Sequence, residues 1–330
     1  MAIQPPYCLV TILSPIKTES LMNRLLPITT IKANGVEIAY ELHGAEDAPV
    51  IMLIHGLGMP MTAWPMEMVE QLVQAGFRVL RIDNRDQGQS QKFRHLPMPN
   101  LVWQMIRMKL GLRVNAPYPL TDLMKDTLGV LDGLDINQVH VVGVSMGGMI
   151  AQLLAIHHPE RVLSLTSIMS TTGNPKLPQA DRKVLAHLMS APKSQSEEDL
   201  INYHVKTWQL IGSPKYPTSK QDLREFVKGL LDRGISPSGT TRQMLAILAT
   251  RNRYQDLNEL KMPVQVIHGT ADPLIPVAAG KETAQAAHAK LHLVEGMGHD
   301  LPEALHSQIC SWIIEQAKAA PLKSEISAAV

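Results

Sequence analysis

Short apolar runs with few breaks recur along this chain at residues 51–54, 79–82, 139–144, 162–169 and 264–267, most of them separated by helix-length segments. A strand with one wet face alternates apolar and polar residues, whereas a near-continuous apolar run has to be covered on both faces. Helices packed on either side of a parallel sheet provide that cover. The pattern therefore predicts a doubly wound α/β core built on a mostly parallel sheet. Ahead of it, ITTIKANGVEIAYELHG reads as two strands around Asn34 and Gly35, the dipeptide favoured in a type I′ hairpin turn. Val36, Ile38, Tyr40 and Leu42 alternate there as on a half-exposed antiparallel strand.

Two segments interrupt the alternation of strand and helix. Residues 171–256 read as entirely helical: Ser196 with Asp199 and Ser219 with Asp222 have capping-box spacing, and Leu223, Phe226, Val227, Leu230 and Leu231 form a helical stripe before Gly234. Several helices inserted at one point of a sheet make a cap. The expected organisation is a core of residues 29–170 and 257–318, a helical cap at 171–256, a poorly ordered extension at 1–28 and a flexible tail at 319–330. Within the extension, Met22 is a candidate start, and the apolar run 8–13 is too short, and its flank too weakly basic, for a signal peptide. The second segment, PNLVWQMIRMKLGLRV at 99–114, is an apolar, basic helix candidate. Packing against core or cap is its first reading; a lid, a homodimer contact and a lipid surface are the others.

Composition removes several classes of function. Hydrophobic residues make up 45% and charged residues 18% of the 330, an ordinary globular balance without a transmembrane signature. A net charge of +1 with no basic run gives nucleic acid nothing to bind. Cys8 and Cys310, one near each end, form neither a disulfide framework nor a metal-ligand spacing, which fits a reducing compartment such as the cytoplasm. No G-x-G-x-x-G follows a strand, so no dinucleotide is expected, and the chemistry below needs neither cofactor nor metal.

That chemistry starts from GVSMGGM, residues 143–149, where one apolar run ends and a helix is expected to begin. Alone, G-x-S-x-G is a weak signal. Placed on a sharp turn after a central strand, it is a nucleophile elbow: Ser145 is held in a strained conformation with Oγ exposed, and Gly143 and Gly147 leave room for the neighbouring strand and helix. A serine hydroxyl needs a base, and the base needs an orienting group. VQVIHG is followed by TADPLIP, which puts Asp272 on a loop at a strand end; the next apolar run, 291–294, is followed by EGMGHD, which puts His299 at the corresponding place. Of the 13 histidines only His299 lies on a loop after the last strand; His55 and His268 read as structural. Oxyanion donors are expected from the Met146 amide, at the start of the helix behind the serine, and from the Leu57 amide in HGLGMP.

Together, HGLG, GVSMGG, HGTADPLIP and GMGH resemble, in order, the oxyanion loop, nucleophile elbow, acid loop and histidine loop of the α/β-hydrolase superfamily, over roughly residues 28–317. DNRDQGQS at 83–90 has Asp86 where many members of that superfamily have glycine; this acidic version is similar to the aclacinomycin methylesterase branch and related bacterial carboxylesterases. The resemblance implies an α/β-hydrolase fold with a helical cap and ester hydrolysis through an acyl-enzyme. The longer 99–114 segment departs from that branch.

The expected activity is therefore hydrolysis of a small-molecule carboxylic ester of short to medium chain length. Met59, Met61 and Met297 lie beside the oxyanion and histidine loops and are candidates for a flexible apolar pocket. An acyltransferase, a hydrolase of carbon–carbon bonds using the same serine, aspartate and histidine, and a weakly catalytic ligand receptor are the alternatives.

Overall fold

The computed structural model describes residues 29–320. Asn34 and Gly35, at φ 51° and 78°, turn the chain between β1 (Thr30–Ala33) and β2 (Val36–His43), as a type I′ hairpin requires. The apolar runs become β3 (Val50–Ile54), β4 (Arg78–Ile82), β5 (Val139–Val144), β6 (Val162–Ile168) and β7 (Val264–Gly269), with β8 (Lys290–Val294) at the edge. All eight strands form one sheet, in the order β1-β2-β4-β3-β5-β6-β7-β8. The pairings from β4 through β8 are parallel; those of β1 with β2 and β2 with β4 are antiparallel. The α/β-hydrolase fold expected from the sequence is the fold observed.

Every residue of β3, β5, β6 and β7 is buried, because helices cover both faces. Along β3, Ile51 and Leu53 pack against α1 (Met66–Gln74) and the final helix, α11 (His306–Ala319). Val50, Met52 and Ile54, with opposite parity, pack with α3 (Leu120–Gly133) and α4 (Met146–His157). Period-two side-chain direction thus divides one apolar run between two cores. Between β4 and α3 lies α2 (Leu101–Lys109), whose Asn100 side chain caps it by accepting from the Trp103 amide at 2.9 Å.

Between β6 and β7 the chain forms α5 (Arg182–Leu188), α6 (Glu197–Ile211), α7 (Lys220–Arg233), α8 (Pro237–Leu248) and the short α9 (Tyr254–Leu257), which packs on α4 and on α10 (Val277–Ala286). Ser196 and Ser219 cap α6 and α7 through the Asp199 and Asp222 amides, and Gly234, at φ 109°, ends α7 in the left-handed conformation. Ile201, Val205, Leu223 and Val227 give α6 and α7 a small core of their own. The expected extension at 1–28, with the candidate start at Met22, and most of the expected tail lie outside the described residues.

Strand order decides where a site can form. From β3 the chain goes to β4 on one side of the sheet and returns to β5 on the other, so the loops after β3 and β5 diverge and leave a crevice at their carboxyl ends. HGLGMP follows β3 and Ser145 follows β5.

Candidate active site

Ser145 sits at φ 55°, ψ −119°, between the last residue of β5 and the first of α4. A non-glycine residue there carries strain of order 1–3 kcal/mol. Two hydrogen bonds hold it: its amide donates to the Ile168 carbonyl at 2.9 Å, and the Ser170 hydroxyl donates to its carbonyl at 2.7 Å. The flanking glycines have a steric cause. A Cβ on Gly143 would stand 2.2 Å from the Gly147 carbonyl oxygen, and one on Gly147 would stand 2.0 Å from that of Ile54. Only bare backbone lets the turn close this tightly against β3.

His299 Nε2 lies 3.1 Å from Ser145 Oγ, and His299 Nδ1 lies 2.7 Å from Asp272 Oδ2. The other carboxylate oxygen, Oδ1, accepts the amides of Leu274 (2.9 Å) and Ile275 (2.8 Å). Burial works against ionising Asp272, but the charge and hydrogen bonds of His299 and His268 outweigh it and hold the carboxyl well below the usual carboxylate range. The structure thus brings together Ser145, Asp272 and His299, which the sequence separates by up to 154 positions.

His268 contributes more than its position at the end of β7 suggests. It is fully buried, its Nε2 lies 2.8 Å from the Ile275 carbonyl, and the same nitrogen lies 3.5 Å from Asp272 Oδ2. Its sequence signal is weak: a histidine four residues before the acid.

The Leu57 and Met146 amides lie on the loop after β3 and at the first turn of α4, and neither hydrogen-bonds to another described residue. The loop carrying Leu57 is fixed from three sides. Gly58 donates to Gln243 Oε1 at 2.9 Å, Met61 donates to Asp83 Oδ1 at 2.6 Å, and Asn84 Nδ2 donates to the His55 carbonyl at 3.1 Å. Burial, aided by the charge of His299, pushes the His55 pKa down to about 3, so this ring is neutral. Gln243 belongs to α8, and nothing in the local sequence marks it.

The 171–256 segment reaches the histidine loop, the loop after β3 and the loop after β4. The His299 amide donates to the Ile211 carbonyl at 2.7 Å, and the Gly298 amide to Ser213 Oγ at 2.8 Å. Asp86, at φ 72°, holds Arg242 of α8 in a two-pronged ion pair (Nε to Oδ2 2.8 Å, Nη2 to Oδ1 2.6 Å) and also accepts the Tyr118 hydroxyl (2.7 Å) and the Phe93 amide (2.8 Å). Burial opposes this carboxylate, yet its donors leave it more acidic than usual. The acidic departure from glycine in DNRDQGQS is the anchor for α8. Gly239 permits the approach, since a Cβ there would stand 2.4 Å from the Asp86 carbonyl oxygen.

Above Ser145 and His299 lies a mainly apolar cavity of about 1860 Å³, larger than the ~300–1,000 Å³ usual for small-molecule sites. Met59 lines it. Met61 and Met297 do not: both are wholly buried, Met297 in the core beneath α1 and α11 and Met61 in the turn that Asp83 holds. Proximity in sequence to a site loop did not turn those two side chains toward the cavity. Met108, Met149, Met169 and Met244 line it instead, drawn from four separate segments.

Residues 49–303 match the model of the alpha/beta hydrolase fold family, and the chain belongs to that family, as an enzyme of the hydrolase class. Among curated proteins it is similar to rhodomycin D methylesterase DnrP of Streptomyces peucetius, 30% identical over 297 residues that cover 83% of this chain and 92% of that protein. It is also similar to a 2-hydroxy-6-oxononadienedioate/2-hydroxy-6-oxononatrienedioate hydrolase of Cupriavidus pinatubonensis, 29% identical over 76% of this chain and 81% of that one. Among solved structures, the meta-cleavage product hydrolase CumD of Pseudomonas fluorescens IP01 shares the fold, with a TM-score of 0.69 at 18% identity over 89% of this chain and 98% of that one.

Proposed function

We propose that the protein is a serine carboxylesterase in which Ser145 is the nucleophile, His299 the general base and acid, and Asp272 the group that orients the imidazole. The observation that carries this reading is the unbroken hydrogen-bond chain from Ser145 Oγ through His299 to Asp272, with the nucleophile on a strained turn. As Oγ attacks the ester carbonyl carbon, His299 Nε2 takes the serine proton, and the negative charge forms on the carbonyl oxygen. The amides of Leu57 and Met146 are the proposed donors to it, and the positive end of α4 adds to their effect. His299 then gives its proton to the departing alcohol, takes one from water as the hydroxide adds to the acyl carbon, and returns it to Ser145 Oγ as the acid leaves. Residues 171–256 act as the cap that closes the cavity over this centre, and the lack of a disulfide framework in a two-cysteine sequence fits a reducing compartment such as the cytoplasm.

The cavity changes the substrate reading. Short to medium-chain esters fit within it but fill little of its volume. The size and apolar lining favour a bulky, mostly apolar acid esterified to a small alcohol, and the similarity to a methylesterase points the same way. A second reading, hydrolysis of a carbon–carbon bond in a dienoate, is favoured by the similarity to the dienedioate hydrolases. Rates on a p-nitrophenyl ester series, on methyl esters of polycyclic acids and on a dienedioate ring-cleavage product separate the two. Ser145→Ala is expected to lower ester turnover by about 10⁴ to 10⁶-fold. A folded variant that keeps more than a few per cent of the activity removes the assignment of the nucleophile.

A further inference from the structure

α2 is apolar on two faces. Leu101, Gln104, Met105 and Met108 turn inward, Gln104 being buried against the Asn115 amide, and Leu101 and Met108 line the cavity. Val102, Trp103 and Ile106 turn outward and are 50%, 53% and 42% exposed, and Leu110 and Leu112, just beyond the helix, are 66% and 49% exposed. Six of the nine exposed large apolar side chains among the described residues fall within residues 98–112. A helix with apolar side chains on two faces is normally covered on both. Among the described residues this one is covered on one side only, which leaves its outer side to an apolar partner.

Charge says which partner. Between residues 87 and 121 the sequence has no aspartate or glutamate, but it has Lys92, Arg94, Arg107, Lys109 and Arg113. Arg94, Lys109 and Arg113 are exposed on the same segment as the apolar side chains. A second copy of the chain docked by a two-fold axis would bring two patches of the same positive sign together. Exposed apolar residues on a segment whose exposed cations have no ion-pair partner among the described residues match an anionic bilayer surface, where the apolar side chains enter the headgroup boundary and the cations meet lipid phosphates.

We propose that α2 and its flanks, residues 94–113, dock the protein on an anionic lipid surface. In that pose the inner side of the same helix sets the cavity against the bilayer, so an apolar ester dissolved in lipid reaches Ser145 without crossing water. The docking itself is independent of the reaction assigned to Ser145.

The test is co-sedimentation of the full-length Ser145→Ala protein with phosphatidylcholine vesicles, with and without about one-third phosphatidylglycerol. Binding to the anionic vesicles is expected, about tenfold or more tighter than to pure phosphatidylcholine, and weakening as salt is raised. Trp103→Glu with Ile106→Glu should lower binding by about tenfold or more, and Arg94→Gln with Arg113→Gln should lower it several-fold and flatten the salt dependence. On the Ser145 background the Trp103→Glu, Ile106→Glu protein should hydrolyse p-nitrophenyl acetate at the parental rate, which shows that it is folded. No preference for anionic vesicles, or equal binding by the glutamate variant, overturns the proposal. So does a dimer that the glutamate variant breaks in a protein that does not bind vesicles, for the face is then a contact between copies.

Discussion

Asp86 and Arg242 lie 156 positions apart in sequence, and both are buried; breaking their pair is the most informative single perturbation of this fold. Arg242→Met deletes both guanidinium bonds and leaves a carboxylate with only the Tyr118 hydroxyl and the Phe93 amide as donors. Removing one partner of a buried ion pair costs about 3–5 kcal/mol, because the remaining charge stays out of water without compensation. Asp86→Gly strands the guanidinium instead, but at φ 72° it also relieves roughly 1–2 kcal/mol of left-handed strain, so a smaller loss of about 2–4 kcal/mol is expected. The double variant buries neither charge. Its loss should fall short of the summed single losses by about 3 kcal/mol, a coupling near the upper end for contacting residues. Urea unfolding of all four proteins measures this, provided the slope m is common to them. Losses that add within about 0.5 kcal/mol would refute the claim that this pair fastens α8 to the loop after β4. Since α8 also carries Gln243, which holds the Gly58 amide, both single variants should lose turnover along with stability.

Other expectations follow from the same geometry. Gly147→Ala drives a methyl group into the Ile54 carbonyl, so turnover should fall by about 10²-fold or more through displacement of the loop after β3; a variant with parental kcat contradicts the steric account of the elbow. Asp272→Asn keeps an oxygen for the Leu274 and Ile275 amides but presents the wrong partner to His299, and kcat should drop by about 10⁴ with the melting temperature little changed. His55 and His140 are buried with pKa values pushed from 6.5 down to about 3 and about 4, so between those values the unfolded chain binds the extra protons. Stability is then complete above about pH 6.5 and declines as pH falls, by up to about 2 kcal/mol per histidine at pH 5; a flat urea midpoint from about pH 7 to 5 contradicts this. Cys310 is buried with its thiol pushed up to about 12, so in a Cys8→Ser protein iodoacetamide should react only after unfolding.

Much of the fold was legible because it rests on local pattern. Continuous apolar runs report strands covered on both faces, Asn34-Gly35 reports a turn that needs two positive φ angles, and serine capping residues report helix starts. The order of Ser145, Asp272 and His299 along the chain was legible too, since each follows the strand that places it. The methionines show where this stops. Met59, Met61 and Met297 look alike as neighbours of site loops, yet Met61 and Met297 turn into the interior and four methionines from distant segments line the cavity in their place.

By itself, then, the sequence determined which segments become strands and helices and which residue types stand at the strand ends, because backbone geometry and average burial are written into spacing a few residues long. Tertiary structure alone decided which side chains meet. The anchoring of α8 by Asp86, the grip of Gln243 on Gly58, and the bare outer side of α2 all depend on docking between segments up to 185 positions apart. A side chain's partner across such a distance is set by how whole elements pack, and no local pattern encodes that.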